Sequence, residues 1–270
     1  MEYSIQNETL CLTVNSKGAE LWELHRRGEE GRPLLWDGKA DIWPRRAPVC
    51  FPWCGKVEDG WFTYAGRRYP APQHGFIRDL EHTLTGRGED FLEFCLDWPG
   101  DGEHWPWAFS FTTRHTLEGN TVVTTCTAVN RSEEPMPAQL GFHAGLRCPF
   151  SPGKTPQDYC IRFEQPEAPG GGDTFALEEH VFDHDSLCLP GLKSAWAQVE
   201  ERGTGRYLRV DTAGFPYVLL WSAPGIPGYV CIEPWTGHLG SGHDLAARPG
   251  AVLLGEGEAL SRTHRITAAL

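Results

Sequence analysis

Apolar and polar residues alternate most regularly between Leu92 and Trp98: Leu92, Phe94, Leu96 and Trp98 fall on one side of an extended chain, Glu93, Cys95 and Asp97 on the other. A period of two marks a half-buried β-strand, because successive side chains leave opposite faces of the pleat. Residues 109–116 and 121–130 are rich in Thr, Val and Phe and flank Leu117-Glu118-Gly119-Asn120, a turn-forming sequence, so together they predict a β-hairpin. Further short strands are expected at 10–14, 207–210, 217–221, 229–232 and 264–267. No segment carries the 3.6-residue period of a long amphipathic helix.

Composition points the same way. The 31 Gly, 21 Pro and 11% aromatic residues suit many short strands joined by turns, since Gly and Pro interrupt helices and aromatic side chains favour pleated surfaces. The expected class is all-β. A chain of 270 residues can bury a sizeable core, and we expect one domain over 1–270, with the Pro/Gly-rich stretch 166–172 as a surface loop.

Charge narrows the partners. With 36 acidic and 24 basic side chains the formal charge is -12, which repels nucleic-acid phosphates and anionic membrane surfaces and leaves a neutral small molecule as the better fit. No run approaches the roughly 18 apolar residues of a membrane span, and Met1-Glu2-Tyr3-Ser4 lacks the basic start of a signal peptide, so a cytoplasmic protein is expected. Nine cysteines, an odd number without a CxxC pair, read as reduced and mostly buried thiols. Cys50 and Cys54 have no second ligand pair at zinc-finger spacing, so no metal is expected.

Four segments place polar groups among residues that would otherwise fill a sandwich core: 45–52, 73–78, 141–143 and 231–235. Glu233 is the most informative residue in them. It closes the apolar run Tyr229-Val230-Cys231-Ile232 and precedes Pro234, which cannot donate to a sheet ladder, so the strand is expected to end there. A carboxylate backed by Trp235 can have its pKa raised by desolvation toward the range of a general base; a solvated strand terminus is the alternative reading. His74 and His143, each taken alone, are more readily structural or surface groups than functional ones.

In order, these segments resemble the aldose 1-epimerase, or galactose mutarotase-like, family, particularly its bacterial branch of lactose-operon and hexose-phosphate relatives. The resemblance is carried by Ala47-Pro48-Val49-Cys50-Phe51-Pro52 after Arg46, by Gly66 to Tyr69, and by His74-Gly75-Phe76-Ile77-Arg78. It continues through Met136-Pro137 ahead of Gly141-Phe142-His143, and Cys231-Ile232-Glu233-Pro234-Trp235-Thr236-Gly237. It implies a large antiparallel β-sandwich with a sugar pocket on a concave face. It further implies Glu233 as general base, His143 as general acid, and His74 and Arg46 as sugar-contacting groups, with no cofactor. Asp185 stands where the family often has an acidic residue before a strand, with Asp183 as its competitor. Trp53 and Trp235 are candidates for apolar contact with the sugar.

Two departures from the family pattern bear on the pocket rim. Ala144 follows His143 where many relatives have Pro, and Lys56 stands where many have Arg. Arg46, Lys56 and Arg78 offer a candidate anion site, against the plainer pairing of Arg78 with Asp79. The implied activity is interconversion of the α and β anomers of an aldohexose or substituted hexose. Its rivals are a catalytically silent sugar-binding protein on the same fold and a cupin-like metalloenzyme, for which His180 and His184 are only a spaced pair. A monomer and a homodimer are both compatible with the sequence.

Overall fold

The hairpin expected from the Thr- and Val-rich stretches lies at the centre of the largest sheet. In a computed structural model that describes all 270 residues, strands Phe109–Glu118 and Thr121–Asn130 pair from Glu118 opposite Thr121 to Phe109 opposite Asn130. Only Gly119 and Asn120 remain as the loop, and Gly119 takes the left-handed φ of 57° that such a tight reversal needs.

Nine antiparallel strands make up this sheet. They run in the order Thr174–Ala176, Tyr159–Phe163, Trp196–Glu201, Arg206–Asp211, Ala259–Ala269, Thr121–Asn130, Phe109–Glu118, Phe91–Trp98 and Thr83–Arg87. Alternation sets the two faces. Phe109, Phe111 and Leu117 are buried, while hydroxyl rungs cross the other face at Thr121–Thr267 (2.9 Å), Thr125–Thr263 (3.0 Å) and Thr127–Ser261 (2.8 Å). Leu92 and Phe94 are likewise buried and Leu96 and Trp98 half-buried, as their period required. The 166–172 stretch connects two neighbouring strands of this sheet as a loop.

A six-stranded path, Leu187–Pro190, Tyr217–Trp221, Tyr229–Trp235, Gly141–Phe142 and Val49–Cys50, with Gly145–Arg147 also on the Tyr229–Trp235 strand, faces the first sheet. Val122, Val210 and Ile266 from the large sheet join Val218, Leu220 and Ile232 from the smaller one in a single hydrophobic core. The architecture is an all-β antiparallel sandwich. The only helices are four short 3-10 turns, and no helix is long and apolar enough to cross a membrane. All nine cysteines are unpaired, and Cys50, Cys54, Cys126, Cys148, Cys160 and Cys231 are buried.

One expectation fails instructively. The strand does not stop at Glu233 but runs through Pro234 to Trp235. Thr236 donates its backbone N–H to Leu140 O at 2.8 Å, so by the two-residue alternation the nitrogen of Pro234 faces the same neighbour. By the register that sets Gly141 opposite Trp235 and Gly145 opposite Cys231, its partner there is Phe142, and Glu233 stands opposite His143. The proline leaves one rung unmade, where that two-residue strand ends.

Two histidines lie deep between the sheets. His115 Nε2–H donates to Ala19 O at 2.8 Å, and burial lowers its pKa from 6.5 to about 4; burial lowers that of His264 to about 3. Between the unfolded and folded pKa values the unfolded chain binds the extra proton, so such a group contributes stability that is complete above about pH 6.5 and is lost as pH falls toward the folded value. Wild-type stability should therefore fall about 1.4 kcal/mol per pH unit more steeply than that of His115→Gln between about pH 6.5 and 4. Urea unfolding across that range measures it, and parallel slopes for the two proteins would contradict it.

Candidate functional site

The same alternation that sends Val230 and Ile232 into the sandwich core sends Glu233 and Trp235 to the opposite face of the strand. Leu219 and Trp221 of the paired strand do likewise, Leu219 lying directly across from Glu233. These four form part of the wall of a cavity of about 450 Å3, within the range of small-molecule sites.

His143 stands opposite Glu233 in the neighbouring strand segment, and its side chain lines the cavity from the same face. Its backbone N–H donates to Pro48 O at 3.1 Å, and Gly145 N–H to Arg46 O at 2.8 Å, which carries the register of Gly141 with Cys50 and Phe142 with Val49 on through residues 46–48. That segment is itself pinned by the buried carboxylate of Glu20, which accepts the N–H groups of Arg46 (2.7 Å) and Ala47 (2.8 Å). The imidazole lies against Trp43, ring centroids 5.0 Å apart, and edge-on to Trp221 at 5.6 Å. Packed this way, the ring has little rotational freedom.

His143 Nε2 lies 3.3 Å from Glu233 Oε2, and both side chains are almost wholly buried. Burial pushes the Glu233 carboxyl well above its ordinary range, helped by Cys50 and Asp185, and holds the His143 imidazole well below its own, helped by the nearby His74 and Arg78. Both shifts resist a charged pair. What the site favours is a pair of no net charge that shares one mobile proton between Nε2 and Oε2.

His74 completes the group, its ring 5.1 Å from that of His143 and edge-on to it. Its own N–H donates to Gly55 O at 2.8 Å, and Gly55 N–H returns a bond to His74 Nδ1 at 3.1 Å. Because a backbone N–H can only donate, Nδ1 is an acceptor, and Nε2 is left to carry the ring's N–H. The doublet requires an unusual backbone: His74 has a φ of 65° and Gly75 of 75°. Left-handed values at a non-glycine residue are uncommon and cluster at functional sites.

Four more predicted residues divide. Arg78 and Asp185 line the cavity, Asp185 at the exposed rim 4.0 Å from Lys56. Asp183 instead bonds His180 at 2.9 Å, so of the two acids it is Asp185 that reaches the cavity. Arg46 is a correction. It does not line the cavity; its guanidinium stacks on Trp22 at 4.1 Å, donates to Trp22 O at 2.6 Å and lies 3.7 Å from Glu23. Arg45, its neighbour, lines the cavity in its place, bonded to Asp79 at 2.5 Å and to Arg78 O at 3.2 Å. The grouping of Arg46, Lys56 and Arg78 as one anion site therefore does not form. Trp53 is also absent from the cavity: it is buried in the core with its indole N–H on Pro72 O, whereas Trp235 lines the wall.

Sequence reasoning missed Trp43, Trp221, Gln73, Arg45 and Glu20. A signal existed for Trp221, since it ends a predicted strand with the parity of Leu219; none existed for Trp43 or Glu20, whose roles arise from distant packing. As for metal donors, His143, Cys231 and Glu233 each bring one ligand atom within 4.8 Å of the others. Burial raises the Cys231 thiol well above its ordinary range, so an ion there would have to displace that proton as well as the one shared by His143 and Glu233.

The family model described as aldose 1-epimerase matches residues 1–167. The plasmid form of protein LacX from Lactococcus lactis is 26% identical over 265 residues, covering 88% of each chain. A galactose mutarotase related enzyme from Lactobacillus acidophilus superposes with a TM-score of 0.91 at 24% identity, over 100% of this chain and 98% of that one. A galactose mutarotase-like protein from Lactobacillus casei superposes at 0.88 and 20% identity over 100% of both. The structural likenesses establish a shared fold.

The tight turn under His74 is the most exposed point of this arrangement to substitution. A Cβ on Gly75 would lie 1.8 Å from Phe51 O, a backbone atom that cannot swing aside. Gly75→Ala should cost about 2–4 kcal/mol in urea unfolding. A variant as stable as wild type would show that the turn is not built as described.

Proposed function

Because the chain belongs to the aldose 1-epimerase family, we propose that it is a mutarotase that interconverts the α and β anomers of an aldohexose or a substituted hexose. The observation that supports this reading is the buried His143–Glu233 pair, 3.3 Å apart on the wall of a cavity of about 450 Å3.

The reaction needs a base for the C1 hydroxyl and an acid for the ring oxygen. Glu233 removes the proton from O1–H while His143 delivers one to O5; the C1–O5 bond breaks, C1=O1 forms, and the open-chain aldehyde results. Rotation about C1–C2 presents the other face of the carbonyl. Closure then runs in reverse, with the O5 proton returning to His143 and the Glu233 proton to O1. The pair begins as imidazolium and carboxylate and stands, at the aldehyde stage, as neutral imidazole and carboxylic acid. Those are the two forms that one shared proton allows. Burial, which opposes charge on both partners, lowers the energy of the second form and so keeps the two close, the condition for a proton to move easily either way. His74 Nε2–H and Arg78 are donors for ring oxygen and hydroxyls, Asp185 is an acceptor at the rim, and Trp235 gives an apolar wall to the sugar's C–H groups.

NMR exchange spectroscopy of anomer interconversion, run over neutral and phosphorylated hexoses, tests the reading and finds the substrate. Glu233→Gln and His143→Asn should each lower kcat by at least about 10²-fold while the protein stays folded. Saturable sugar binding by wild type with no acceleration would instead identify a silent binding protein. The same assay followed against pH should fall at both ends: in acid because both partners hold protons, in alkali because neither holds the shared one. A profile lacking either limb contradicts the assignment of the pair.

A further inference from the structure

His143 also lines a second, small void, which Glu233 does not line, with about 10 Å3 open to the centre of a water-sized sphere. That is close to the roughly 10–15 Å3 one water molecule needs on this measure. Two of the residues that line it, His143 and His264, each carry a buried ring nitrogen, Nδ1 and Nε2 respectively, with no protein hydrogen-bond partner. Buried polar atoms left unpaired are rare and costly, and two bordering the same void point to a shared partner.

The large sheet supplies a third group. His115, Thr124 and His264 stand in one row across three adjacent strands, Thr124 opposite both histidines, and all three border the void. His115 Nε2–H is committed to Ala19 O, so its Nδ1 accepts the Thr124 hydroxyl proton at 2.9 Å. The Thr124 oxygen is left with lone pairs to offer. His264 is held in place by stacking on Phe142, ring centroids 4.7 Å apart and 13° from parallel, so it is fixed against the residue next to His143.

We propose that one ordered water occupies this void, accepts the Nδ1–H of His143 and donates to His264 Nε2 and Thr124 Oγ1, so that His143 is kept in the tautomer whose Nε2 is free to give and take the catalytic proton. Three hydrogen bonds are what a buried water typically makes. The bond at one imidazole nitrogen decides which nitrogen carries the proton when the ring is neutral. After Nε2 has delivered its proton to O5, a ring held as Nδ1–H has an Nε2 lone pair ready to take it back; the other tautomer would not. His264 is thus a positioning residue, acting through the water and touching no sugar.

The inference rests on the mutarotase reading for its kinetic consequence but not for its structural one, and the tests separate the two. A high-resolution crystal structure should show density for a water bonded to His143 and His264, and long-range 1H–15N correlation should show His143 as the Nδ1–H tautomer. His264→Leu should lower kcat about 10- to 100-fold with KM within about twofold, while His264→Gln, whose amide can take over the Nε2 bond, restores most of it. A dry void, an Nε2–H tautomer for His143 in wild type, or a folded His264→Leu enzyme with wild-type kcat each overturns the proposal. If wild type accelerates no anomer exchange, the mutarotase reading fails, and the density and the tautomer still decide the water.

Discussion

Taking an imidazole and a carboxylate out of water together is the constraint from which the rest of this architecture follows. Either group alone would carry a heavy desolvation penalty if charged, and at 3.3 Å they relieve it by sharing a proton. Such a pair is useful only if neither partner can turn away to water. The fold therefore surrounds it with aromatic rings, Trp43 and Trp221 against the imidazole and Trp235 on the adjoining wall.

His143 is held from both sides of its strand segment, opposite Glu233 on one side and against residues 46–48 on the other. The 46–48 segment accepts the backbone N–H groups of His143 and Gly145, and the buried Glu20 carboxylate secures that segment from an earlier strand. A similar economy holds His74, whose backbone and ring both bond Gly55. Thus a residue that does not line the cavity fixes the geometry of one that does, and polar burial at 20 is as much a part of the site as polar burial at 233. Burial raises the Glu20 pKa, yet the two backbone donors oppose that shift, so the carboxylate is stabilised as an acceptor where it is needed.

Much of the fold was legible because strand period is local information. The 92–98 alternation and the 109–130 hairpin need only neighbouring residues to be read, and the strand at 217–221 appears with the expected limits. Glu233 and His143 stood out because polar residues interrupt apolar runs, although the ordered family motifs contributed more than residue chemistry. What failed depended on facing and on distance. Arg45 and Arg46 are adjacent, so a motif ending at either names the pair without saying which side chain meets the cavity. Trp53 lies in irregular chain after the Val49–Cys50 strand with its ring in the core, whereas Trp235 ends a strand of the smaller sheet and lines the cavity. Glu20, Trp43 and His264 come to the site through contacts between distant stretches of chain, which no local pattern encodes.

Pro234 acquires a meaning in this light that its dihedral restrictions alone do not convey. Any other residue there would present a backbone N–H to Phe142, which lies opposite it in the register of Gly141 with Trp235 and Gly145 with Cys231. In that same register His143 stands opposite Glu233, so the two side chains leave one face of the sheet together. The imidazole and the carboxyl are neighbours by the ordinary geometry of paired strands, and proline marks the place beside them where one rung of the ladder is left unmade.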